Sequence, residues 1–216
     1  MRNARTLKLV QISLLAAIVI LFAAVPGLGY IPLGFTRATT LHIPVIIGSI
    51  LLGPKEGALL GAVFGLTSLF NNTFNPTPTS FVFSPFYNLG ETGGNFWSLV
   101  ICFVPRILVG VFPYYVYTGL SRRASSNKGK TFALALAGFT GSITNTLLVM
   151  HLIYLFFGSG YAAVRNIAES TLYTVILTVI GTNGVPEAIV AMILVTAIVR
   201  AVQASLHRGS KSANSP

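Results

Sequence analysis

Residues 41–66 read LHIPVIIGSILLGPKEGALLGAVFGL. Two apolar stretches flank a short charged turn, Gly53-Pro54-Lys55-Glu56-Gly57. Gly and Pro punctuate helices, so the stretch is predicted to be a helical hairpin with a lysine at its tip. In the second arm, the spacing Gly57-x3-Gly61-x3-Gly65 lays a stripe without side chains along one helical face. A neighbouring helix can approach closely there. The arms are predicted over residues 38–53, made irregular by Pro44, and 57–71. A bilayer core asks for about 20 helical residues, so both arms reach only part way into the outer leaflet.

Working outward from Lys55, the other basic residues fall almost wholly on its side of the apolar spans. Arg2, Arg5, Lys8, Lys55, Arg122, Arg123, Lys128, Lys130, Arg200, Arg208 and Lys211 share one face, against Arg37 and Arg165 on the other. The fourteenth basic residue, Arg106, lies inside a span. Such a bias sets membrane orientation and places both ends in the cytoplasm. An even number of crossings follows. The composition agrees: 53% of the chain is hydrophobic and 8% charged, where a soluble domain has about 25% charged residues. The net charge of +10 borders the spans rather than forming one stripe, which argues for membrane anchoring and against nucleic acid. The single cysteine, Cys102, excludes an intramolecular disulfide framework and a cysteine zinc site.

Six crossings are expected: 7–25, 38–53, 57–71, 97–120, 132–157 and 186–202. Residues 72–95, which begin NTFNPTPTSFVFSPFYN, hold too many prolines and hydroxyls to span. They read as an interfacial aromatic belt, a folded lid over a pocket, or both. Residues 162–180 are apolar enough to cross, but an extra crossing would put the basic C-terminus outside. They are therefore expected to be external or half-inserted. Pro186 suits the first position of the last helix, and Glu187 complements its dipole. The fold class is thus an all-α integral membrane protein, a six-helix bundle over 1–205 with a polar basic cytoplasmic tail over 206–216.

No G-x-x-x-x-G-K-[ST] phosphate loop occurs, and no His/Glu metal motif. No pair of carboxylates sits within a span, so no enzyme, metal or cofactor is expected. What remains are isolated polar groups in apolar helices. Arg106, in ICFVPRILVG, has no acid near it in sequence. Buried arginines in membranes face a cavity or a partner. It is satisfied either by backbone carbonyls, including one freed by Pro105, or by an anionic ligand. Asn145 reaches a similar depth from an antiparallel helix and acts as interhelical glue or as a ligand contact. His151 is a bundle histidine or a contact, Asn183 a helix cap or a contact, and Arg37 a solvated charge or a gate. Asn72, Asn75, Asn95 and Trp97 complete the candidate substrate-binding set. Ser13, Ala16 and Ala17 form a small face on the first helix, for bundle packing or for docking another membrane subunit.

Three segments together resemble the S component, the substrate-binding membrane subunit, of an energy-coupling factor (ECF) transporter. They are VQISLLAAIVILFA in the first helix, the 41–66 hairpin with its specific run HIPVIIGSILLGPKEG, and GGNFWSLVICFVPRILVG entering the fourth. The first-helix motif departs from the family's Ala-x3-Ala form, reading Ser13-x3-Ala17. The resemblance implies a high-affinity vitamin site opening outward and no ATPase of its own. It implies assembly with a transmembrane scaffold subunit and two ATPase subunits, delivery by toppling, and a place in the prokaryotic plasma membrane. Within the family the chain is most similar to the pantothenate type. Arg106 suits a carboxylate, and Asn145 with the Asn/Thr-rich loop suits an amide and hydroxyls. Another vitamin such as riboflavin, stacked on Trp97 and the phenylalanines, is the alternative, as is a stand-alone small-molecule transporter.

Overall fold

The computed structural model describes residues 4–25, 27–33 and 36–212. Residues 213–216 of the expected tail 206–216, the turn residue Pro26 and Arg2 of the basic face lie outside the described residues. Helix α1 (Ala4–Ala24) leads into a hairpin of β1 (Tyr30–Leu33) and β2 (Thr36–Thr39), with Tyr30 opposite Thr39. Then come α2 (His42–Leu52) and α3 (Pro54–Phe74). A loop follows that holds a 3₁₀ turn (Ser80–Val82) and a minimal hairpin of β3 (Asn88–Leu89) and β4 (Thr92–Gly93). Helices α4 (Phe96–Val109), α5 (Phe112–Ser121), α6 (Asn127–Val164), α7 (Glu169–Val179) and α8 (Val185–Ser212) complete the chain.

Among the described residues, four helical stretches are long and apolar enough to cross a membrane: Arg5–Ala24, Phe96–Ser121, Asn127–Val164 and Glu169–Ser205. With α2 and α3 they make six helical units. Helix α1 turns Leu9, Val10, Leu14, Ile20 and Leu21 outward, as a lipid-facing helix does. Helix α2 runs for only about 16 Å, yet His42–Ile50 are all buried. It is a core element around which α1, α3, α5, α6 and α8 pack.

The structure corrects the expected spans at three places. The second helix starts at His42 rather than 38, because Thr36–Thr39 pairs with β1 instead. Pro44 falls in the first turn of α2, where no backbone donor is needed. The fourth crossing is two helices broken at Gly110–Val111, and Pro113 opens the second. The largest change lies in 158–184. Helix α6 runs on through a kink at Phe157 (φ −133°) to Val164. Residues 169–179 then form α7, which passes through a π turn (Ile180–Gly184) into α8. Residues 162–180 are thus largely helical rather than an irregular segment. Their second half fuses with the last span into one helix, so no extra crossing arises. Pro186 does not open that helix. It follows the π turn, where the hydrogen-bond ladder is already displaced and a missing N–H is tolerated.

The glycine stripe of α3 meets α4 as its spacing implies. A side chain at Gly57 would overlap the backbone of Gly110, and one at Gly61 the carbonyl of Arg106. At Gly65 it would meet the Phe103 ring. Two apolar clusters form the interior. One gathers α2 with Leu60, Phe64, Leu134 and Val195. The other gathers Phe81, Val82, Ile101, Ile153, Leu172 and Ile176.

Candidate functional site

Arg106 joins these two clusters. Its guanidinium lies over the Phe64 ring, 5.5 Å from the centroid, and over the Phe83 ring at 5.1 Å. The residue is buried, at 5% exposure. Its position follows from its neighbours. Pro105 lacks a backbone donor, which frees the carbonyl four residues back, that of Ile101. Arg106 Nη1 donates to that carbonyl at 2.7 Å. Nη2 reaches Ser68 Oγ only at 3.5 Å, and Nε has no partner. A guanidinium has five donors and stays charged in proteins. So Pro105 and the glycine stripe aim a charged fork whose hydrogen bonds the protein does not complete.

The fork opens into a cavity of about 100 Å³. Helix α3 contributes Ser68 and Asn72, α6 contributes Asn145, Thr146, Val149, Met150, Ile153 and Tyr161, and the final helix Val179, Asn183 and Glu187. Tyr30 and Thr39 of the first hairpin and Thr77, Thr79 and Phe83 of the 75–95 loop close it. Asn145 is buried with its Oδ1 unpartnered. Burial pushes the Tyr30 phenol up to about 12, so it stays neutral and can donate.

The 75–95 segment is a folded cover with its own hydrogen bonds. Ser80 Oγ donates to Asn72 Oδ1 at 2.7 Å, and Asn72 Nδ2 donates to the Ser68 carbonyl at 2.8 Å. Ser98 Oγ donates to the Phe81 carbonyl at 2.7 Å, and the Thr73 and Ser84 hydroxyls meet at 2.7 Å. Phe81 and Val82 are buried beneath it, while Phe74, Phe86 and Phe96 face outward. The segment is lid-like on its inner side and aromatic on its outer one.

Of the residues singled out in the sequence, Arg106, Asn145, Asn72 and Asn183 come together in this cavity. Four others stand elsewhere. Trp97 stacks on Phe156 (centroids 3.9 Å, planes 10° apart) and is 43% exposed. Asn95 caps α4, its Oδ1 accepting from Trp97 N–H at 2.8 Å. Asn75 caps the end of α3, its backbone N–H donating to the Asn71 carbonyl. His151 is exposed, its Nδ1 2.7 Å from the Leu147 carbonyl and its ring edge-on to Tyr173. Each has an exposed setting that a residue-type argument does not see. Arg37 pairs with Pro32 in the first hairpin, and its side chain lies outside the described residues. Asn183 does not cap the last helix but sits in the π turn. On α1, Ser13 and Ala17 face outward, while Ala16 packs against the interior.

Sequence reasoning missed Ser68 and Glu187 above all. A signal for Ser68 existed: Gly61, Gly65, Ser68 and Asn72 follow each other at helical steps of four, three and four. For Glu187 the position after Pro186 points to a helix start and hides its place in the middle of a longer helix.

A family model described as "ECF transporter, substrate-specific component" matches residues 7–199. The "Pantothenic acid transporter PanT" of Lactococcus lactis subsp. cremoris is 45% identical over 167 residues, covering 77% of this chain and 78% of that protein. The "Pantothenate transporter PanT" of Leuconostoc mesenteroides subsp. mesenteroides is 30% identical over 204 residues, covering 92% and 93%. A solved structure described as "Structure and mechanism of the S component of a bacterial ECF transporter" shares the fold, with a TM-score of 0.53 at 16% identity. The match covers 96% of this chain and 99% of that one.

Proposed function

The chain belongs to the substrate-specific components of ECF transporters, and from that premise we propose that it captures pantothenate in the cavity around Arg106 for import. It is a transport component and not an enzyme. The observation that carries the substrate reading is the buried Arg106, with its Nε unpartnered, in the lining of a cavity. A carboxylate meets such a fork through paired charge-assisted bonds, and pantothenate carries one. The relatives named for that vitamin support the same choice. Riboflavin loses its main stacking ring: Trp97 is engaged with Phe156 away from the cavity, and of the phenylalanines only Phe83 lines it.

In this reading Arg106 holds the carboxylate and Asn145 the amide. Asn72 and Asn183 shape the wall, and the 75–95 segment covers the site. The protein spans the prokaryotic plasma membrane six times with both ends in the cytoplasm. It works with a transmembrane scaffold subunit and two ATPase subunits, the small face of α1 at Ser13 and Ala17 supplying the contact. Equilibrium binding of pantothenate to the purified full chain tests the reading. It predicts saturable one-site binding that riboflavin does not displace. Absence of pantothenate binding, or displacement by riboflavin, would overturn it.

A further inference from the structure

The cavity contains one acid, Glu187. Its Oε1 accepts from the Thr39 backbone N–H at 3.3 Å, and no cation whose side chain is described pairs with it. Arg106 stands on α4 and Glu187 on α8. Helix α6 packs against both and carries Asn145, with its unpartnered Oδ1, into the same cavity. A cation, an amide and a carboxyl group thus line one cavity from three helices. That set matches the groups of a ligand with a carboxylate at one end, an amide N–H in the middle and hydroxyl donors at the other.

We propose that Glu187 accepts the hydrogen bonds of the hydroxyl end of the ligand, and so admits the free diol while excluding any form phosphorylated there. The inference rests on the pantothenate reading above. A carboxylate accepts from hydroxyls through charge-assisted bonds. Next to it, a phosphoryl group meets like-charge repulsion and desolvation. Specificity at this end thus has an attractive and a repulsive part. Glu187 fixes orientation as well: a reversed ligand would set its carboxylate against Glu187 and its hydroxyls against Arg106.

The test measures binding of three ligands to the purified full chain: pantothenate, its derivative methylated on both hydroxyls, and its terminal phosphate ester. Wild type should bind pantothenate at least tenfold more tightly than the methylated derivative, and the phosphate ester more weakly still. Glu187→Gln keeps an acceptor for the Thr39 N–H but removes the charge. It should lose roughly tenfold for pantothenate and little for the methylated derivative, while recovering part of the affinity for the phosphate ester. Equal losses of Glu187→Gln on pantothenate and the methylated derivative would overturn the proposal, as would equal wild-type affinity for all three ligands. Equal wild-type affinities would overturn the proposal even if the variant does not fold. A chain that binds no pantothenate at all would refute the functional reading. One that binds it but ignores the hydroxyl end would refute only the role of Glu187.

Discussion

Substituting Gly61 with alanine tests how the fold aims Arg106. A methyl at Gly61 would lie 2.8 Å from both the carbonyl carbon of Arg106 and Cα of Ile107, against an ordinary closest approach of 3.4 Å. The Arg106 carbonyl oxygen lies closer still, so the backbones of α3 and α4 must part by more than about 0.6 Å, since backbone atoms cannot swing aside as side-chain ends do. Overpacking of this kind costs about 1–3 kcal/mol of stability. It also moves the Arg106 fork by a comparable distance, and a hydrogen bond holds only over about 2.7–3.2 Å. Losing one charge-assisted bond costs roughly 1.5–3 kcal/mol, or about one to two decades in affinity. Gly61→Ala should thus lower the thermal midpoint and weaken pantothenate by roughly ten- to a hundredfold in equilibrium binding. Gly119→Ala is the control. Nothing lies within 4 Å of its added carbon, so it should leave binding unchanged and gain up to about 1 kcal/mol of helix stability. Wild-type affinity in Gly61→Ala would refute the claim that the α3–α4 contact sets the guanidinium.

Orientation is checked by single cysteines, because native Cys102 is buried, its thiol donating to the Gly65 carbonyl. Ser125→Cys should label only from the cytoplasm and Glu91→Cys only from outside; labelling of both from one side would refute the arrangement. Ala17→Trp places bulk on the outward face of α1, so it should abolish pantothenate uptake in cells bearing the full transporter while leaving binding to the isolated chain within about twofold. Lys8 Nζ lies 2.6 Å from Glu56 Oε1 and holds that carboxyl below its usual range. A depressed carboxyl stabilises above its unfolded value of about 4.3 and ceases to as pH falls through the folded value. Wild type should therefore exceed Glu56→Gln in thermal stability by less than about 1 kcal/mol at neutral pH, and the gap should close in acid.

Much of this was legible in the sequence because the physics involved is local. The glycine stripe of α3 and the partnership of Pro105 with Arg106 both follow from residue type and helical spacing. Each appears as a contact in the structure. The π turn and the fused last helix were not legible. A parity argument counts crossings, and it has no means of seeing that two apolar stretches join through a widened turn. The first hairpin was missed for a related reason. Residues 30–39 carry no strong turn pair, and strand pairing depends on what the chain meets in space. At the site, asparagines and Trp97 were grouped by type. Only position on a helix face separates Asn145, which faces the cavity, from Asn95, which caps a helix.

The central claim is that Arg106 binds the ligand carboxylate, and one comparison tests it most directly. Pantothenate and its neutral primary amide are each titrated against wild type, Arg106→Gln and Arg106→Lys. Arg106→Gln should weaken pantothenate by roughly ten- to a hundredfold. The lysine variant should recover only part, because it lacks the planar fork. The amide should bind wild type weakly and respond little to either change. Equal losses for the acid and the amide would contradict the account and leave Arg106 as a group that only ties the Ile101 carbonyl to its helix.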